Sequence, residues 1–110
     1  MPSEETPNND IPQEEKALLD HIRLALRLTG KMFDSEIEAL IAACKADLRT
    51  AGIIEINNSD PLTVQAITLY CKGHFGFADM GEKYLTVYES LKTPLRLAGD
   101  LAAGGDPVDE

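Results

Sequence analysis

The feature that most constrains this chain is the set Ile37, Leu40, Ile41, Cys44 and Leu48, spaced i, i+3, i+4, i+7 and i+11. Such offsets return to one face of a helix of 3.6 residues per turn, whereas a strand, with its period of two, would scatter them over both faces. A helix carrying this stripe has to bury it, and three further stretches repeat the pattern. Leu18, Ile22, Ala25 and Leu26 share a face in a helix beginning near Glu14. Val64, Ile67 and Cys71, flanked by Ala66 and Tyr70, form the inward edge of a helix beginning at Asp60 and Pro61. Tyr84, Leu85, Tyr88, Leu91 and Leu95 follow in a fourth.

The ends of these helices are written in capping chemistry. Gly30 is the expected stop of the first. The second opens at Asp34 or Ser35, with Ser35 and Glu38 at the spacing of a capping box. Gly52 suits the left-handed C′ position, from which Ile53 packs back on Leu48. Asp60 can accept from the free N–H groups of the third helix, and Pro61, lacking an N–H, fits its first position. Gly73 inside that helix costs about 1 kcal/mol relative to Ala, so it marks either a close neighbouring backbone or an early end, and Gly76 closes it. Asp79, three residues before Glu82, can cap the fourth helix, which Pro94 should end or kink near Thr93. The intervening IIEINNS stretch has no strand partner in view and reads as a packed loop.

These readings predict an all-α fold, a small four-helix bundle-like domain over residues 14–99. Residues 1–13, rich in Pro and Asn, form a disordered N-terminal arm, and residues 100–110 a flexible acidic C-terminal tail. A length of 110 residues allows one modest core and no second.

The formal charge of −9 is concentrated at the two ends, while residues 17–99 are almost balanced. Polyphosphate affinity needs clustered Lys and Arg, so this distribution argues against a tight nucleic-acid binder. Cys44 and Cys71 fall within helical periodicity and lack CxxC spacing, which makes them reduced packing residues. The first residues are acidic and polar, unlike a signal peptide, and no apolar run approaches the roughly 20 residues of a membrane span. The expectation is a soluble protein made in the cytoplasm.

Catalytic and metal chemistry finds little support. His21 lies beside Asp20, and His74 follows Cys71 by three residues, but a tetrahedral metal site needs further ligands and a Cys–His pair needs a third group to orient the His. No P-loop, dinucleotide fingerprint, HExxH or EF-hand spacing occurs. No cofactor is expected, and the chain is not read as an enzyme. In a helix-turn-helix DNA binder built on the second and third helices, the third would present only Lys72 as a cation. Two sets of residues are candidates for partner binding. Arg23, Arg27 and Lys31, spaced four apart, make a basic ridge that is either a solvated face paired with Asp20 or a partner- or channel-facing one. Leu95, Leu97 and Leu101 either fold back on the core or wait for a partner.

The DP-started helix with its QAITLYCKGHFG run, from Asp60 to Gly76, the YESLK end from Tyr88 to Lys92, and the LAGD stretch from Leu97 to Asp100 resemble the head-tail connector proteins of long-tailed double-stranded-DNA bacteriophages. The resemblance covers about residues 16–100 and departs at Pro94 and Leu101. It implies a structural subunit of the virion, present in the host cytoplasm before assembly, that joins a homo-oligomeric ring of roughly twelve-fold symmetry under the portal. Such a ring extends the channel through which double-stranded DNA passes without sequence recognition, and offers a docking platform to the stopper or tail-completion protein. The apolar set Leu95, Leu97 and Leu101 followed by a flexible acidic tail is a composition that can fold on binding, so the segment from Leu95 to Glu110 is expected to order on the portal or on an adjacent subunit. The alternative is a small helical regulatory or DNA-binding module.

Overall fold

A computed structural model of the protein describes residues 13–54, 56–75 and 80–104, with side chains as far as Gly99. Among them the chain forms five α-helical segments: α1 (Gln13–Ala25), α2 (Asp34–Thr50), α3 (Pro61–His74), α4 (Gly81–Ser90) and α5 (Lys92–Gly104). No strand occurs among the described residues. The all-α fold therefore agrees with the hydrophobic spacing. The fifth segment is new, and only Leu91 separates it from α4.

The α2 stripe is buried as its periodicity requires, with Ile37, Cys44 and Leu48 wholly inaccessible and Ile41 nearly so. Against it lie Leu18, Leu19, Ile22 and Leu26 of the first segment and its end, Ala66, Ile67 and Cys71 of α3, and Tyr88 of α4. Each fully buried aliphatic side chain contributes about 1.5–3 kcal/mol by leaving water. The third helix is central, touching α1, α2 and α4. Cross-contacts fix the directions. Arg23 meets Asp34 and Glu15 meets Lys45, so α1 and α2 run antiparallel. Phe33 packs edge-on against Phe75, and Tyr70 against Tyr88. One end of the bundle thus gathers the C-termini of α1 and α3 with the N-termini of α2 and α4.

Two helix boundaries follow the sequence closely. Gly52 has φ +97°, the Gly52 amide donates to the Arg49 carbonyl, and the Ile53 amide donates to that of Leu48, which brings Ile53 back onto the core. The Asp60 carboxylate accepts from the Thr63 amide at 2.9 Å and from its hydroxyl at 3.0 Å, with Pro61 in the first turn.

Other boundaries differ. The first helix ends at Ala25 rather than at Gly30, because Arg27 takes the left-handed conformation at φ 65°. The Arg27 amide donates to Leu24 and that of Leu28 to Arg23, the same closing pair of bonds that Gly52 makes. A non-glycine residue in that region costs roughly 1 kcal/mol. Burying Leu26 and half-burying Leu28 offsets it. The Ser35–Glu38 capping box does not form: Phe33 stands at the N-cap without a side-chain bond, and Asp34 is drawn away by Arg23. Of the two readings of Gly73, the close neighbour is correct. A Cβ there would lie 2.5 Å from Leu85 Cγ and 3.1 Å from the Gly81 carbonyl oxygen.

Pro94 occupies the first turn of α5, where its missing N–H goes unused, and the helix break falls three residues earlier, at Leu91. The helix continues through Gly104, past the boundary expected at residue 99. The N-terminal arm up to residue 12, the closing role of Gly76, the cap at Asp79 and the tail beyond residue 104 lie outside the described residues.

Candidate interaction site

The fifth segment is the part whose attachment the sequence left open, and a polar tie holds its start. Tyr88, only 1% exposed, donates its hydroxyl hydrogen to Asp47 Oδ2 at 2.6 Å. Lys92, in the first turn of α5, places Nζ 2.8 Å from the same oxygen and 3.0 Å from Glu89 Oε2. Its ammonium also sits 5.1 Å from the Tyr88 ring centroid. Behind the phenol, the Cys44 thiol points to the Tyr88 oxygen at 3.8 Å. Side chains from α2, α4 and α5 thus meet in one cluster.

The electrostatics suit a tie. Bonding from Lys92 and then from Tyr88 holds the Asp47 carboxyl below its ordinary value. Burial, then the bond to Asp47, pushes the Tyr88 phenol up. Burial works against the Lys92 ammonium, but Asp47 and Glu89 more than restore it, and its pKa is raised. Burial also drives the thiols of Cys44 and Cys71 up to about 12. At neutral pH the cluster therefore holds a protonated thiol, a neutral phenol and a carboxylate–ammonium pair, an arrangement that fixes helices and offers no activated nucleophile. Arg96 adds a contact, since its stem would meet a Cβ on Gly52 at 3.1 Å.

The predicted partner-binding residues separate on this geometry. Leu95 is 5% exposed and belongs to the core, while Leu97 is 54% exposed. Leu101 lies in the helical segment, its side chain outside the described residues. The basic ridge does not exist as one helix face. Arg23 is tied to Asp20 and, by two bonds of 3.0 and 2.8 Å, to Asp34, whereas Arg27 and Lys31 stand exposed in the turn between α1 and α2.

Sequence reasoning passed over the residues that are most exposed for their size: Met32 at 84%, Ile54 at 83%, Leu24 at 75% and Met80 at 43%. Leu24 could have been found as an apolar residue off the stripe of its own helix. Nothing in the pattern marked Met32.

Neither histidine joins a site. His21 is exposed at the rim of an open cleft lined by Ala17, Leu18, Asn58 and Val64, and the His74 ring packs tilted against Tyr70, with centroids 4.3 Å apart. Among the described residues no group of three His, Cys, Asp or Glu side chains could hold a metal ion. No described helix is long and apolar enough to cross a membrane.

No curated protein and no solved structure matches the chain. The family model described as phage connector protein does, over residues 18–101, a stretch that reaches from α1 into α5 and includes every element of the polar tie. The chain belongs to the phage connector protein family.

Proposed function

We propose that the chain is a head-tail connector subunit that assembles with further copies into a ring, roughly twelve-fold, beneath the portal at the head vertex. In that position the ring lengthens the DNA channel and presents a platform to the stopper or tail-completion protein. The reading rests on one observation, the family match over residues 18–101, which takes in nearly all of the helical bundle. As a family member the chain is a structural connector of the virion, so its work is binding and geometry.

The surface supports the finer reading. Large apolar side chains remain outside at the α1–α2 turn, at the start of α4 and on α5, as a part designed to be covered by neighbours would carry them. Arg27, Lys31, Leu97 and Leu101 stay candidates for partner contact. Arg23 and Leu95 hold the subunit itself together. The near-neutral charge of residues 17–99 lets duplex DNA pass a lumen without being held.

Native mass measurement and electron microscopy of the purified protein, with and without its portal, test the proposal. A closed ring seated on the portal is expected. A protein that stays monomeric and ignores the portal would refute it, and a duplex-DNA gel shift with a steep salt dependence would favour a DNA-binding module instead.

A further inference from the structure

The turn between α1 and α2 carries exposed cations beside exposed apolar side chains. Residues 24–33, LALRLTGKMF, hold two cations and no carboxylate in a chain of net charge −9. Both cations, Arg27 and Lys31, are exposed, and neither forms an ion pair among the described residues. Beside them Leu24 and Met32 are 75% and 84% exposed, and Phe33 is 38% exposed with its ring edge-on to Phe75. Because Phe75 ends α3, and Gly81 at the start of α4 packs on Gly73, this corner sits at the end of the bundle where Met80 is also exposed. Apolar side chains ringed by unpaired cations favour an acidic segment that brings an aliphatic residue with it.

The chain contains such a segment. Residues 1–12, MPSEETPNNDIP, carry Glu4, Glu5 and Asp10 with no Lys or Arg, together with Ile11. The segment joins the bundle at Gln13, which Glu15–Lys45 places at the end opposite to the corner. We propose that the α1–α2 corner is the docking surface for residues 1–12 of a second copy, so that each subunit in the connector ring holds the arm of its neighbour. Twelve extended residues reach about 40 Å, ample for a neighbour. Returning to its own corner would take the arm back along α1, past Glu14 and Asp20, and up to Glu36 at the start of α2. A head-to-tail neighbour presents its cationic end without that reversal. The inference rests on the connector reading only in requiring neighbouring copies.

A charge exchange tests it. One variant carries Arg27→Glu and Lys31→Glu, the other Glu4→Lys, Glu5→Lys and Asp10→Lys, all in the full chain. Every changed corner residue is exposed, and thermal melting verifies that each variant folds. Sedimentation velocity reads self-association. Each variant alone should associate at least about tenfold more weakly than the wild type. An equimolar mixture should recover most of the loss, because the acidic corner of one now meets the basic arm of the other. Variants that associate like the wild type overturn the inference. Impaired variants whose mixture recovers nothing also overturn it, since the arm then folds on its own subunit. A wild type that does not self-associate at any concentration does the same. Microscopy of portal complexes separates this from the connector reading: rings that form equally well from both variants leave the connector standing and remove the arm, whereas a wild type that never engages the portal removes the connector.

Discussion

Replacing Gly73 by Ala sets two physical effects against each other. In an exposed helix the change stabilises by about 1 kcal/mol, because Ala loses less backbone freedom on folding. Here the new Cβ would lie 2.5 and 2.6 Å from Leu85 Cγ and Cδ2, and 3.1 Å from the Gly81 carbonyl oxygen, against a normal carbon–carbon approach of about 3.5–4.0 Å. Leu85 can rotate away, but the backbone of Gly81 cannot without moving the start of α4. Overpacking of this kind costs about 1–3 kcal/mol, so the net expectation is a loss of up to about 2 kcal/mol. For a domain of this size that lowers the melting temperature by up to about 10 °C, readable by circular dichroism.

Two companions make the result decisive. Gly99→Ala, in α5 with nothing within 4 Å of the added atom, should gain up to about 1 kcal/mol. Gly73→Ala in a Leu85→Ala background should cost at least about 0.5 kcal/mol less than in the wild type. If Gly73→Ala raises the melting temperature as much as Gly99→Ala does, or if the Leu85 background makes no difference, the close approach of α3 and α4 is not what determines Gly73.

Three further outcomes follow from the polar tie and its surroundings. Tyr88→Phe removes the donor to Asp47 while keeping the ring, and should lower stability by about 1 kcal/mol in urea unfolding, with Lys92 still serving the carboxylate. Asp47→Asn tests the acid limb. The folded carboxyl has a depressed pKa, so its contribution is present at neutral pH and is lost as the pH falls below the unfolded value of about 3.9 toward the folded one. The variant should be less stable near pH 7 by roughly 0.5–1 kcal/mol, after allowance for solvent screening, and the difference should shrink below pH 4 when unfolding is followed against pH. Cys44 and Cys71, buried with thiols raised to about 12, should resist an aromatic disulfide reagent at pH 8 in the native protein and both react in urea; rapid labelling without denaturant would contradict their burial.

Local signals were legible wherever one residue does one job. Gly52 and the Asp60–Pro61 pair ended and started helices as their chemistry dictates, and the Ile37 to Leu48 stripe is the core. The misreadings share a cause, a distant partner outbidding the local one. Asp34 could have capped its helix, but the Arg23 guanidinium offers two bonds from eleven residues away. Arg27 stands in the left-handed position because Leu26 and Leu28 must turn inward there, while Gly30, the residue best suited to that conformation, lies three positions late. The contact of Tyr88 with Asp47 spans 41 residues, and no spacing rule reaches so far. The candidate interaction surface was legible in part. Arg27 and Lys31 were visible as members of a basic ridge with Arg23, but their being in a turn, next to Met32, was not.

The family match runs as far as residue 101, beyond the residues that attach α5 to the bundle. Lys92 reaches Asp47, Leu95 enters the core and Arg96 covers Gly52, so all three anchors fall within five residues at the start of the helix. Past Arg96 the side chains of Leu97 and Ala98 face solvent, yet the helix runs on to Gly104. A helix of thirteen residues is marginal on its own in water. Its first turns are therefore set by the subunit, and the stability of its outer half depends on whatever covers Leu97. A structural connector, whose remaining surfaces are completed by other virion proteins, is the kind of molecule in which such a half-anchored helix makes physical sense.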